Sequence, residues 1–385
     1  MRVYFDNAAS TPVLPEVVEA MLPHLRGTYG NPSSIHKEGR GGRALIEAAR
    51  KRVAARLNAS IGEIFFTSGG TEAANTAIKC SVRDLAVTDI ISCATEHHCV
   101  LHSLTDVQQN AGVALHFLDV DAYGRPLLRD LEDNLAALAG RRVLVSLMHA
   151  NNETGNLIDL GAFAKTCKAH GALLHSDTVQ TTGHFEIDLQ EVPVDFVTGA
   201  AHKFHGPKGV GFVYISNEQI VRPFVDGGSQ ERNMRGGTEN LYGIVGLAEA
   251  FDRAYDELTD RRAYILRLRE RMLSGLREID PGLRVNTDLD GANLYTVLSV
   301  SFTPSPKAEL LLFNLDIAGI AASGGSACSS GADAGSHVVQ AIYGPGDPMI
   351  TVRFSFSHLN TEAEVDYALG KIAGFLKVEE AVGAA

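Results

Sequence analysis

The sequence predicts an α/β fold, with a large domain built on a mostly parallel sheet and a smaller α+β domain. Three observations carry that expectation. From about residue 40 to 215, helical patterns alternate with short apolar runs, the signature of βαβ units. A long helical pattern then occupies about 238 to 279, and beyond it strand-like runs return in a different rhythm, separated by helical segments. The boundaries expected from this are 13–255 for the large domain, and 1–12 together with 256–385 for the small domain that carries Cys328.

Each element has its own signal. Leu45, Ala49, Val53 and Leu57 recur on one face of a helix. Apolar runs at 64–66, 90–93, 143–147, 172–174, 194–197 and 211–215 are bounded by Gly, Asp, Asn or His and are the expected strands. In a sheet of this kind ligand groups belong at the carboxyl ends of the strands. The late runs 296–302 and 351–356 belong to the second domain. No internal repeat and no Pro/Gly-rich linker interrupts the chain.

Bulk properties exclude several classes. At 385 residues the chain suits two or three domains, and 45% hydrophobic with 21% charged residues is the composition of a chain folded throughout. The net charge of −12 argues against broad attraction to nucleic acid or anionic membrane, so no direct nucleic-acid binding is expected. The opening MRVYFDNAAS lacks a signal-peptide apolar run, and no stretch approaches the roughly 20 apolar residues of a membrane span. A cytoplasmic location is the expectation. The five cysteines form no CxxC pair and read as reduced thiols. Cys80, Cys93, Cys99 and Cys167 sit in apolar or helical stretches and read as buried small hydrophobes. Cys328 stands apart, because Gly324, Gly325, Ser326, Ala327, Ser329, Ser330 and Gly331 around it are small loop formers.

The strongest local feature is Ala201-His202-Lys203, directly after the run 194–197. Taken alone, a lysine before a Gly-Pro-Lys-Gly turn is a solvated loop residue. Lys203 gains weight from Leu174-His175-Ser176-Asp177-Thr178-Val179-Gln180, which ends another strand with an acid and an amide. Pyridoxal phosphate (PLP) chemistry needs that pair. A lysine holds the aldehyde as a Schiff base, and a carboxylate keeps the pyridine nitrogen protonated so that the ring acts as an electron sink. The bland alternative for Asp177 is a turn or N-cap residue. In Thr67-Ser68-Gly69-Gly70-Thr71-Glu72 a strand passes into a helix, so backbone N–H groups and the Thr71 hydroxyl can receive a phosphate. His97, His98, Cys99 and His102 could evoke a metal site, but no second cluster supplies further ligands, and none is assigned. A histidine just after the run 90–93 instead suits stacking on a flat cofactor ring.

With these residues in place the chain resembles, end to end, the cysteine desulfurases, class V members of the fold type I PLP enzymes. The resemblance rests on Tyr4-Phe5-Asp6-Asn7-Ala8-Ala9, Gly30-Asn31-Pro32-Ser33-Ser34-Ile35-His36, the turn 67–72, Thr95-Glu96-His97, and Met148-His149-Ala150-Asn151-Asn152-Glu153-Thr154-Gly155. It continues through 177–180, His202-Lys203, Gly227-Gly228-Ser229-Gln230-Glu231, Arg235-Gly236-Gly237-Thr238, Ser326-Ala327-Cys328 and Arg353-Phe354-Ser355. It implies a seven-stranded sheet in the large domain.

The same resemblance implies the roles. Lys203 is the Schiff-base lysine, Asp177 pairs with the pyridinium, His97 stacks on the ring and shuttles protons, and Gln180 contacts the ring oxygen. Gly70, Thr71 and His202 hold the phosphate, joined by Thr238 from a neighbouring subunit, which implies a homodimer with a shared site. Asn152 lies beside cofactor and substrate, and Arg353 binds the carboxylate of L-cysteine. Cys328 attacks the sulfur of the bound cysteine and becomes a persulfide, leaving alanine. The spacing from Cys328 to His337 resembles the long-loop subgroup, which hands sulfur to acceptor proteins such as an iron–sulfur scaffold or a tRNA-thiolating enzyme.

Three departures stand out: Ala200 where the family has a serine on the phosphate, Gly331-Ala332-Asp333-Ala334-Gly335 after the cysteine, and an end, 378–385, without the extended tail of some relatives. The alternatives are a PLP aminotransferase or lyase, including a selenocysteine lyase, without sulfur relay, and a scaffold that only recruits sulfur-transfer partners. Cys328 argues against the first and Lys203 against the second.

Overall fold

A computed structural model describes residues 1–324 and 336–376. The chain divides into two units, one of residues 10–151 and 157–258, the other of residues 1–9, 152–156 and 259 onward. In chain order the strands are β1 (Val3–Tyr4), β2 (Ile64–Thr67), β3 (Asp89–Cys93), β4 (Ala114–Leu118), β5 (Val143–Met148), β6 (Leu173–Asp177), β7 (Phe196–Ala200) and β8 (Gly211–Ile215). They continue as β9 (Arg284–Val285), β10 (Val297–Phe302), β11 (Ile320–Ala321) and β12 (Ile350–Ser355).

The larger unit is organised on a seven-stranded sheet of order β2-β8-β7-β6-β5-β3-β4. Neighbours from β7 through β4 pair in parallel, while β8 is antiparallel to both β7 and β2. Two reversals cancel, so β2 runs in the direction of the parallel strands. The carboxyl ends of β2, β3, β5, β6 and β7 therefore share one edge. This is the α/β architecture with a mostly parallel sheet that the alternating pattern predicts. β3 and β5 are buried along their whole length, the condition under which a strand reads as a continuous apolar run rather than an alternation.

Local chemistry sets where the helices meet that edge. Helix Gly70–Asp84 begins after Gly69, whose φ of +153° suits glycine. Helix His98–Ala111 is capped at its start by the His97 side chain, which accepts from the Cys99 N–H, and at its end by Gly112 in the left-handed region at φ +69°. The expected single helical run over 238–279 is two helices, Leu241–Asp256 and Leu258–Ile279, parted at Glu257.

The smaller unit carries the antiparallel sheet β12-β10-β9 and the parallel pair β1-β11. Val297, Val300, Phe302, Val352 and Phe354 are fully buried and form its centre. Phe5 joins them, its ring 5.2 Å from Phe356 and 6.4 Å from Phe354.

Candidate active site

The shared carboxyl edge of the larger unit gathers most of the residues singled out in the sequence. Asp177 is the last residue of β6, and its register partner on β7 is Thr198. Its Oδ1 accepts from the Val179 N–H at 2.9 Å and from the Thr198 hydroxyl at 3.3 Å, so the carboxylate is held in one orientation. Lys203 closes the short turn Ala201–Lys203 that follows β7 directly, which brings the lysine and the acid to adjacent strand ends. Gln180, three residues beyond Asp177, is buried.

His202 precedes the lysine, its Nδ1 3.3 Å from the Ser10 hydroxyl. Burial, then the charges of Lys203 and Lys208, push its pKa down to about 4. It is neutral at neutral pH, with a ring nitrogen available as either donor or acceptor.

The turn 67–72 leaves β2 on the same edge. Among the described residues, a Cβ placed on Gly69 would find no atom within 4 Å, so space is open in front of the first peptide groups of helix Gly70–Asp84. The same atom on Gly70 would lie 2.7 Å from Val179 and 3.8 Å from Ala200, which packs the turn onto the ends of β6 and β7. A fifteen-residue helix directing its free N–H groups and positive dipole end into unfilled space is a place for a phosphate. The glycine turn, the oriented Asp177 and the adjacent Lys203 together fit PLP. Ala200 is fully buried at the end of β7 and supplies no hydroxyl, as its side chain requires.

His97 stands between β3 and its following helix. Its Nδ1 accepts the Cys99 N–H at 3.2 Å and lies 3.0 Å from the Cys99 sulfur. Burial, then Asp177 and Glu96, push the Cys99 thiol pKa up, so the thiol stays protonated and acts as a donor to that nitrogen. With Nδ1 accepting, the ring's N–H is on Nε2.

Glu96, quoted in the sequence only as part of a motif, is fully buried and its Oε1 accepts the Met148 N–H at 2.6 Å. Burial raises its pKa well above the usual carboxylate range, and the nearby Asp177 charge adds to the shift. It ties the loop bearing His97 to the end of β5. Glu231, likewise quoted only within a motif, forms a buried pair with Arg50, which no sequence pattern announces.

In the smaller unit the structure brings Asn152 and Arg353 together. The buried guanidinium donates from Nη1 to the Asn152 carbonyl at 2.6 Å and from Nη2 to Asp6 Oδ1 at 2.8 Å. Its Nε is buried and has no partner among the described residues. A guanidinium fixed on one side with an unused donor on another is equipped to take a carboxylate. Thr238 is exposed in the larger unit and lines, with Ser68 and Gly237, a cavity of about 200 Å³. Cys328 lies outside the described residues.

Residues 3–368 match the family described as Aminotransferase class-V. The chain is 40% identical over 372 residues to a cysteine desulfurase of Cereibacter sphaeroides, covering 96% of this chain and 94% of that protein. It is 38% identical over 379 residues to cysteine desulfurase IscS of Dictyoglomus turgidum, covering 96% and 93%. Among solved structures, a NifS-like protein superposes with a TM-score of 0.90 at 37% identity, covering 98% of this chain and 99% of the other. A NifS-like protein from Rickettsia africae gives 0.86 at 29% identity, covering 97% and 99%.

Proposed function

Because this chain belongs to the cysteine desulfurase family of class-V aminotransferases and is a PLP-dependent enzyme of that activity, we propose how its own residues divide the work. Lys203 holds the cofactor covalently and serves as the base toward the substrate Cα. Asp177 keeps the ring nitrogen protonated, and its fixed carboxylate is the single observation that carries this assignment. Once bound, the cofactor supplies the electron sink that weakens bonds at the substrate's Cα and Cβ. Gly70, Thr71 and His202 bind the phosphate, His97 presents its Nε2 proton to the cofactor side, and Gln180 contacts the ring oxygen.

Arg353 binds the substrate carboxylate, with Asn152 beside it. Cys328, as thiolate, forms a bond to the substrate sulfur while the Cβ–S bond breaks; the electron pair of that bond stays with the carbon, which takes up a proton to become alanine, and Cys328 keeps the sulfur as a persulfide. Arg353→Ala should raise the KM for L-cysteine on the order of 100-fold, the equivalent of about 3 kcal/mol in lost charge-assisted hydrogen bonds. Arg353→Lys should recover little of it, because an ammonium cannot reproduce the fork. Unchanged KM and kcat in Arg353→Ala would remove this residue from the substrate site.

The active protein is a homodimer in which Thr238 completes the phosphate site of the other subunit; light scattering should then give twice the 41.2 kDa chain mass. A monomer with full activity would exclude that arrangement. The relatives' names, cysteine desulfurase and cysteine desulfurase IscS, support removal of sulfur from L-cysteine. We assign this chain an acceptor protein of iron–sulfur assembly or tRNA thiolation, reached in the cytoplasm. No helix among the described residues is long and apolar enough to cross a membrane. Covalent trapping of the persulfide-bearing protein in its native cell, followed by fractionation, tests both assignments, and recovery of only small-molecule acceptors would refute the relay.

A further inference from the structure

Residues 231–233 form a left-handed turn built without glycine. Glu231, Arg232 and Asn233 have φ of +44°, +58° and +65°. That region is sparsely populated by residues with a Cβ, and a run of three persists only where surrounding contacts over-determine it. The contacts are unusually specific. Glu231 and Arg50 face each other with both side chains 2% exposed, joined by two parallel bonds, Nη1 to Oε2 at 2.7 Å and Nη2 to Oε1 at 2.9 Å. Glu231 Oε2 also accepts the Phe66 N–H at 2.8 Å, and Arg50 Nη1 donates to the Ile64 carbonyl at 2.8 Å. The guanidinium lies 4.8 Å from the centre of the Phe66 ring.

Apart from Glu47, to which Arg50 Nε donates at 3.2 Å, the partners outside the pair are on β2, the strand that ends in the turn 67–72. Four residues after Glu231 a second fork crosses to the same turn. Arg235 donates from Nε and Nη2 to Glu72 at 2.9 and 3.1 Å, and Glu72 in turn accepts the Ser68 N–H at 3.0 Å. The segment 231–238 is thus registered against the start and the end of one glycine turn. A buried ion pair is weak evidence for stability, since well-packed apolar residues often serve as well, so its geometry calls for another use.

We propose that Arg50 and Glu231 are positioning residues for the phosphate end of the cofactor site. They fix the backbone of 66–72 and, through the left-handed turn, hold the segment that carries Gly237 and Thr238. The proposal rests on the assignment of the turn 67–72 to the cofactor's phosphate, and its test separates the two.

The apoprotein is titrated with PLP and with pyridoxal, which lacks the phosphate but can still react with Lys203, and bound cofactor is followed by its visible absorption. Glu231→Gln and Arg50→Lys are compared with the unaltered protein; the lysine variant keeps both charges and serves if the glutamine variant does not fold. A lost fork should weaken PLP by about tenfold or more, as expected where a bidentate arginine is replaced. Pyridoxal affinity should hold within about twofold in the same variants. Adding Arg232→Gly with Asn233→Gly to Glu231→Gln should return part of the PLP affinity, because glycine adopts the left-handed turn without a pin. Unchanged PLP affinity in both variants, equal weakening of PLP and pyridoxal, or no recovery in the glycine variant would each overturn the positioning role. If the unaltered protein bound pyridoxal as tightly as PLP, the phosphate assignment itself would fall, taking the proposal with it.

Discussion

Cys328→Ser is expected to leave the protein yellow and its cofactor bound, while alanine formation from L-cysteine falls by on the order of 10³ or more and persulfide labelling disappears. The reason lies in the other thiols as much as in Cys328. Burial pushes the pKa of Cys80 and of Cys93 up to about 11 and that of Cys167 up to about 12. At neutral pH such groups are thiolate in about one molecule in 10⁴ or fewer, whereas an ordinary thiol near 8.5 is ionised in a few per cent. Cys99 is held protonated beside Asp177 and Glu96. None of the four can stand in as nucleophile. Serine is a poor nucleophile toward sulfur, and the cofactor residues Lys203 and Asp177 are untouched. Normal alanine yield from the variant would sink the relay and favour a lyase that releases sulfide directly, and loss of PLP would mark Cys328 as a structural residue.

Lys203→Ala should abolish both colour and turnover, again by at least about 10³ in kcat, because the covalent hold on the cofactor and the base at the substrate Cα vanish together. Lys208 is nearby in sequence but exposed on the following turn, whereas Lys203 ends the turn that leaves β7 directly beside the Asp177 strand end. Borohydride reduction of PLP-loaded Lys203→Ala, then peptide mapping, checks the assignment. A reduced adduct on any other lysine would show that the cofactor is held elsewhere.

The two residues also show how far the sequence carries. Runs such as those giving β3, β5 and β8 are legible because strands buried on both faces are mostly apolar. β4 escapes the same criterion: it is an edge strand with Phe117 48% exposed and Ala114, Leu115 and His116 half-buried, so no run announces it. β6 extends past its apolar start through His175, Ser176 and Asp177, because polar side chains there find buried partners, His175 Nδ1 lying 2.8 Å from the Ser146 hydroxyl. The break at Glu257 comes without Gly or Pro, so periodicity alone runs across it. At the site, Lys203, Asp177 and the glycine turn announce themselves by residue type next to strand ends. Glu96 and the Arg50–Glu231 pair do not, since a buried carboxylate looks in sequence like any surface acid, and a left-handed turn made of Glu, Arg and Asn carries none of the usual glycine signal.

The pairing of β1 has a consequence for how the protein is made. Val3 and Tyr4 pair with Ile320 and Ala321, and the Asn7 side chain donates to the Ser355 carbonyl, 348 positions away. During synthesis at roughly 5 to 20 residues per second, the opening segment waits tens of seconds for these partners. The larger unit, whose strands all lie within residues 64–215, has its whole sheet outside the ribosome well before then. Phe5, fully buried in the finished protein, lacks its ring partners Phe354 and Phe356 throughout that interval. Vectorial synthesis therefore delivers the sheet that carries Asp177 and Lys203 first and the strand that carries Arg353 last, so the proposed cofactor residues are made well before the proposed substrate anchor.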